Sequence, residues 1–381
     1  MSPRQERLLS FVRELHRRDK RGPDAFPIRS SPQPAGIVRD KFVSPDSQIT
    51  GHDLISLKQT EAFDRGLAPP SGVPSPMPPL VEIQAPLAPA LTEQAAVAFD
   101  RALSNKPLSS SDLLHLESIV LPALRPVFDI QNETYSTLPA YWDPLNRQRT
   151  AIEPLIRGIG RLQLTGHPSY TLVGTGFACG PNAVLTNRHV AQIFVQGVQS
   201  GQQLSFLPGV SCAMDMLAEV GSASTLRLDL TGPIAVSTTW DVALLRVEAL
   251  PAGVIPLPLA RSAPDTISDG FATIIGYPSY DPHESFVDQA NIFRAVFDRK
   301  RLQPGKFNGR TDVLSFGRNV SALAHDCSTL GGNSGSALIS ADIAQVVGIH
   351  FSGITHQSNY AVPTWELVAD PAFTGQSLNF V

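Results

Sequence analysis

From about residue 155 onward the chain predicts a mainly β fold, a sandwich or barrel, behind a partly helical, proline-rich N-terminal extension. Three observations carry this. Short β-rich runs (GIGRLQL, YTLVGTGFACG, AVLTNRHV, QLSFL, TLRLDL, DVALLRV, ATIIGYP, ALIS and QVVGIHFSG) follow one another, separated by Gly, Pro, Asn and Ser. Of the 33 prolines, 19 fall in residues 1–150, which sets that part apart. Helical spacing of apolar residues recurs near the N-terminus. The roughly 220 residues of the β-rich part suit two small barrels packed together.

In chain order, Leu8, Leu9, Val12 and Leu15 predict one short amphipathic helix in a charged segment. Eight prolines between Pro69 and Pro89 exclude helix and central strand there, because proline lacks the amide hydrogen and fixes φ. That segment reads as a semi-rigid extended linker. Thr92 caps a helix through LTEQAAVAFDRAL, and Ser110 or Ser111 caps another through DLLHLESIVLPAL, which Pro122 bends or ends. The expected organisation is an N-terminal region over 1–68, a linker over 69–90, a helical lead-in or pro-region over 91–150 and the β-rich domain over 151–381. Within that domain barrel one takes about 155–250 and barrel two about 255–370.

Composition excludes several functions. A net charge of -4 lacks the basic footprint of a nucleic-acid binder. No run approaches the roughly 18 apolar residues of a membrane span. The N-terminus shows no apolar signal core, and three cysteines fit a reducing compartment, so a cytoplasmic location is expected. Metal clusters, phosphate loops and nucleotide fingerprints are missing, and no cofactor is expected.

Three strings carry chemistry: GTGFACGPNAVLTNRHVA with His189, TTWDVALLRV with Asp241, and DCSTLGGNSGSAL with Ser334. Ser334 is flanked by Gly331, Gly332 and Gly335, which permit a sharp turn and close backbone approach. The amides of Gly332 and Ser334 can then converge as an oxyanion hole, the donor pair that acyl transfer needs. A serine hydroxyl needs a base, here His189, and the base needs a buried carboxylate to hold its tautomer. Asp241 opens an apolar strand after Trp240 and is the best candidate; Asp326, near Ser334 in sequence, is the runner-up. Each residue alone is commonplace, as a turn, a loop-end histidine or a strand cap, and the three in this order are not.

On these strings the chain resembles the trypsin-like (chymotrypsin-fold) serine peptidases, most closely the bacterial glutamyl endopeptidase branch, with a weaker likeness to HtrA-type proteases. IIGYP and NYAVP add to the likeness, which covers about residues 155–370. The resemblance implies two antiparallel six-stranded β-barrels with the site in the cleft between them. His189 and Asp241 would come from the first barrel and Ser334 from the second. Phe351, Ser352 and Gly353 would pair with the substrate backbone, and a short helix would follow Pro363. In the glutamyl branch, residues matching Thr329 and His350 line the first specificity pocket, which implies a preference for Glu or Asp on the acyl side of the cut. Ser328 argues against basic specificity. Asn333 stands where trypsin's relatives carry an Asp, and an Asn cannot ion-pair with a freed N-terminus. Cys327 reads as a small packed thiol.

The function expected is a serine endopeptidase acting on protein or peptide substrates, with residues 1–150 either inhibiting the cleft as a pro-region or recruiting a regulatory protein partner, against the plainer reading of a passive tail and linker. The alternative is a catalytically silent relative used as a binding module.

Overall fold

A computed structural model describes residue 101 and residues 126–198, 203–281, 286–354 and 358–381. The helices and linker expected before residue 126 lie outside these residues, Arg101 apart. The chain divides into two units. The larger holds, among described residues, Val127–His283 and Val296–Val381.

Among the described residues, this larger unit takes in Val127–Ile156 ahead of its first long strand. Strand β1 (Phe128–Gln131) turns through Asn132 and Glu133 into β2 (Thr134–Tyr135). A 3-10 turn at Ala140–Trp142 leads into α1 (Asp143–Arg147) and α2 (Arg149–Ile156). Ile130, Tyr135, Leu138, Trp142, Leu145 and Ile152 are all buried. Removal of that much apolar surface from water is what binds the segment to the barrels.

The first sheet comprises β3 (Ile159–Thr165), β4 (Leu172–Gly180), β5 (Ala183–Thr186), the single turn α3 (Arg188–Ala191), the small pair β6 (Val195–Gln196) and β7 (Ser205–Phe206), then β8 (Ser211–Asp215), β9 (Arg227–Leu230), β10 (Gly232–Val236) and β11 (Ala243–Arg246). Its order is β10-β11-β5-β4-β3-β8-β9, seven strands without a closing ladder. The end strands β9 and β10 are joined by Thr231 alone and form no ladder with each other. In place of the closed six-stranded barrel expected, this sheet is a seven-stranded antiparallel half-barrel. Leu162, Val184, Phe194, Met214, Leu228 and Leu245 fill it.

The second sheet begins with β12 (Phe271–Gly276). It continues with β13 (Arg301–Ser315), β14 (Arg318–His325), β15 (Ala337–Ser340), β16 (Val346–Ile354) and β17 (Ser358–Pro363). The order β12-β15-β16-β17-β14-β13 closes through a β12–β13 ladder, a complete six-stranded ring to which β1 and β2 are appended at β13. Ile274, Phe307, Leu323, Leu338 and Val347 pack inside it. A third core joins the barrels, with Ile159, Phe177 and Leu244 from the first and Ile275, Ala337 and Ile349 from the second. The helix after Pro363 is a 3-10 helix, Thr364–Val368.

The smaller unit is represented by Arg101 and by α4 (Phe286–Phe293). Among the described residues no helix is long and apolar enough to cross a membrane.

Candidate active site

Strand register delivers the histidine and the aspartate to one place. β5 and β11 are antiparallel neighbours with Thr186 opposite Ala243. Three residues past Thr186 and two before Ala243 therefore lie at the same end of the pair. There His189 Nδ1 lies 2.6 Å from Asp241 Oδ2, and the His189 backbone N–H donates to Oδ1 at 2.9 Å. Asp241 is 1% exposed. Its carbonyl accepts from Asn187 Nδ2 at 2.8 Å, which ties the aspartate to the residue entering α3. Burial by itself lowers the His189 pKa; the Asp241 charge and hydrogen bond outweigh it and hold the imidazolium above the ordinary histidine range.

The loop before Asp241 is fixed by a residue the sequence did not single out. Ser237 Oγ donates to Asp370 Oδ2 at 2.5 Å and accepts from the N–H groups of Thr239 and Trp240 at 3.0 and 2.8 Å. Its only sequence signal is a serine two positions before a Thr-Trp pair, a common turn pattern.

Ser334 enters from the second barrel, three residues before β15. Gly332 has φ +81°, and a Cβ there would sit 2.4 Å from the Tyr277 carbonyl oxygen. Gly335 has φ +88°, and its Cβ would meet the Thr175 carbonyl at 2.0 Å. Both positions thus require glycine, as the flanking-glycine pattern implied. The Gly331 carbonyl accepts from Ser279 N–H at 2.7 Å, and the Asn333 carbonyl from Ser336 N–H at 2.9 Å. In a trans peptide the N–H points opposite the carbonyl. These two bonds therefore set the directions of the Gly332 and Ser334 N–H groups. Neither N–H has a hydrogen-bond partner among the described residues. They are two donors held ready for an oxyanion.

Thr175, on β4, couples the barrels at this loop. Its N–H donates to Ser334 O at 2.9 Å and its hydroxyl to Gly332 O at 2.8 Å. The same hydroxyl accepts from Tyr277 N–H at 3.2 Å, and the Thr175 carbonyl accepts from Thr186 Oγ1 at 2.8 Å. Ser334 and Val190, the residue after His189, flank Gly174: a Cβ there would lie 2.9 Å from Ser334 O and 3.2 Å from Val190 Cγ2. The backbone thus brings the serine beside the histidine turn, although Ser334 Oγ makes no hydrogen bond to His189 among the described contacts. Catalytic hydrogen bonds are often long before substrate arrives. Asp326 is not brought to His189; its carboxylate accepts from Lys306 N–H at 2.6 Å.

On β16, His350 is 4% exposed, Phe351 is buried, and Ser352 and Gly353 are half-buried. Phe351 lies at a register shift between His350 and Ser352, and Gly353 pairs with Asn359. Thr329 Oγ1 donates to Asn359 Oδ1 at 2.9 Å, so the threonine proton counted on for a substrate carboxylate is already committed. His350 Nδ1 lies 3.3 Å from Nε2 of His325, itself fully buried on β14. Burial, reinforced by the nearby His189, pushes the His350 pKa down to about 3, so it is neutral. His325 went unremarked in the sequence because one histidine near the end of an apolar strand is usually packed core. Cys327 is buried in the second barrel's core, and none of the three cysteines is in a disulfide.

Residues 174–349 match the family described as the trypsin-like peptidase domain. A "Probable serine protease" of Lysobacter enzymogenes is 31% identical over 242 residues, 56% of this chain and 62% of that protein. The match thus spans less than two thirds of that relative's length. Among solved structures, the active form of the Rv3671c protease from M. tuberculosis aligns with TM-score 0.43 and 18% identity, over 63% of this chain and 88% of that one. The HtrA-type protease AlgW with a decapeptide aligns with TM-score 0.38 and 15% identity, over 56% and 63%. The fold is trypsin-like, and the family match over residues 174–349 takes in His189, Asp241 and Ser334.

Proposed function

We propose that the chain is a serine endopeptidase in which Ser334, His189 and Asp241 act together. The observation that carries this is the double clamp of Asp241 on His189, set beside a glycine-built serine loop with two unpartnered amides. Ser334 Oγ attacks the peptide carbonyl carbon while His189 Nε2 takes its proton. The Gly332 and Ser334 amides receive the oxyanion. His189 then protonates the departing amine as the C–N bond breaks. Water, deprotonated by the same histidine, hydrolyses the acyl-enzyme.

The finer part of the proposal is a preference for Glu or Asp on the acyl side. A neutral His350 can donate one N–H. If His325 Nε2 donates to His350 Nδ1, the proton of His350 resides on Nε2, where it can meet a carboxylate. Thr329 contributes by position, through Asn359 opposite Gly353. The test is cleavage of a mixed peptide library by the full chain, read by mass spectrometry, with Ser334→Ala as control. Cuts after Glu that vanish in the control support both parts. Cuts after other residues keep the peptidase and remove the acidic preference; no cuts remove the peptidase.

A further inference from the structure

Asn333 and Gln303 are 30 positions apart, and neither is exposed to solvent. Asn333 Nδ2 donates to Gln303 Oε1 at 3.0 Å, and Gln303 Nε2 donates back to Asn333 Oδ1 at 3.0 Å. Gln303 is seated on β13 opposite Ile274 of β12, in the closed ring of the second barrel. Asn333 belongs to the serine loop, where its carbonyl is the one whose bond to Ser336 N–H sets the direction of the Ser334 amide. Its own N–H donates to Leu330 O at 3.2 Å. A rigid strand residue thus grips the side chain of the residue that aims the oxyanion donor.

Two primary amides facing each other each offer one donor and one acceptor, so the pair closes on itself without a charge. Burial of a neutral, mutually satisfied pair avoids the desolvation cost that a buried ion pair carries. We infer that Gln303 is a positioning residue for the serine loop, holding Asn333 and through it the Ser334 amide, so that the loop keeps its working shape in the uncut chain. This rests on the serine-peptidase reading of the site.

The pair has a chemical signature. A protonated carboxyl in place of the Gln303 amide still donates once and accepts once. An ionised carboxylate only accepts, so one of its oxygens must face Asn333 Oδ1, whichever way the Asn amide is turned. Burial raises a carboxyl pKa, which moves the change into a measurable range.

The experiment is Gln303→Glu in the full chain, with peptide turnover and labelling by a serine-reactive fluorophosphonate followed from pH 5.5 to 8.5. Each rate is divided by the wild-type rate at the same pH, which cancels the titration of His189. We expect a kcat ratio that falls at least tenfold as pH rises, with KM nearly unchanged, since loss of one oxyanion donor costs about 10²–10³ in kcat. A ratio independent of pH overturns the inference. Should Gln303→Glu not fold, Gln303→Met decides: labelling at least tenfold slower at every pH supports the inference, and wild-type labelling overturns it. A wild-type chain that never labels overturns the peptidase reading itself, and the inference with it.

Discussion

His189 presents both its ring and its backbone to Asp241, with Nδ1 2.6 Å from one carboxylate oxygen and the peptide N–H 2.9 Å from the other. Two bonds from one residue to one carboxylate fix the ring plane as well as its tautomer. Nε2 is left facing away from Asp241. Because the carboxylate raises the imidazolium pKa, the base is lost as pH falls through a value above the ordinary 6.5. Activity is therefore expected to rise with pH across that region. Asp241→Asn should lower kcat about 10⁴-fold, by analogy with triads generally, and move the acid limb to lower pH. A pH–rate profile of both chains checks the sign; an unmoved limb would assign the titration to another group.

Thr175 should prove more than a packing residue. Its buried hydroxyl bridges the half-buried Gly332 O and the buried Tyr277 N–H. Thr175→Val keeps the shape and removes the bridge, leaving the buried Tyr277 N–H unpaired at a cost of about 1–3 kcal/mol. The expected result is a lower urea midpoint and a kcat reduced about tenfold or more, with KM little changed. Equal kcat for the two folded chains would limit Thr175 to stability.

The three residues of the candidate triad were legible because acyl transfer demands particular residue types, and the serine demands glycines around it. Gly332 and Gly335 bear that out in their positive φ and their contacts. The residues that orient the triad were not. Gln303 and Thr175 on strands, and Asp370 past the last helix, each meet partners more than 25 positions away, and a polar residue in a buried position carries no mark of what it faces. The β-rich runs located both sheets, yet the break at Thr231 between β9 and β10, which leaves the first sheet open with seven strands, is invisible in the hydrophobic pattern. The packing of residues 127–156 against the two sheets was hidden for a similar reason. β1 and β2 are four and two residues long, too short for a periodic signal, and they are secured by β13, about 170 positions later.

That packing has a consequence for truncation. A chain starting at Pro126 retains β1, β2, α1 and α2 and is expected to unfold cooperatively. A chain starting at 151 strips away Ile130, Tyr135, Leu138, Trp142 and Leu145, all of them core. At about 1.5–3 kcal/mol for each buried large side chain, the loss approaches the whole stability of an ordinary domain, about 5–15 kcal/mol. The shorter chain should be insoluble or lack a cooperative transition by circular dichroism. A native-like melt from it would make the segment dispensable.

Lys300 is the other fastening of that segment. Fully buried, it donates to the carbonyls of Ile156 at 2.8 Å and Met216 at 2.6 Å, with Glu219 Oε1 at 3.8 Å. Burial drives its pKa down from 10.5 to about 8, against the pull of Glu219, Glu133 and Asp215. Between about 8 and 10.5 the unfolded chain therefore binds more protons than the folded one. The stabilising contribution is complete above 10.5 and is lost as pH falls through about 8. Lys300→Met strands the Glu219 carboxylate and two carbonyls, which should cost about 3–5 kcal/mol at neutral pH. It also removes this group's pH dependence, so the stability gap to wild type should widen from pH 7 to pH 9.5. Urea unfolding of both chains at the two pH values measures this. A gap that stays constant would mean that Lys300 keeps an ordinary pKa despite its burial.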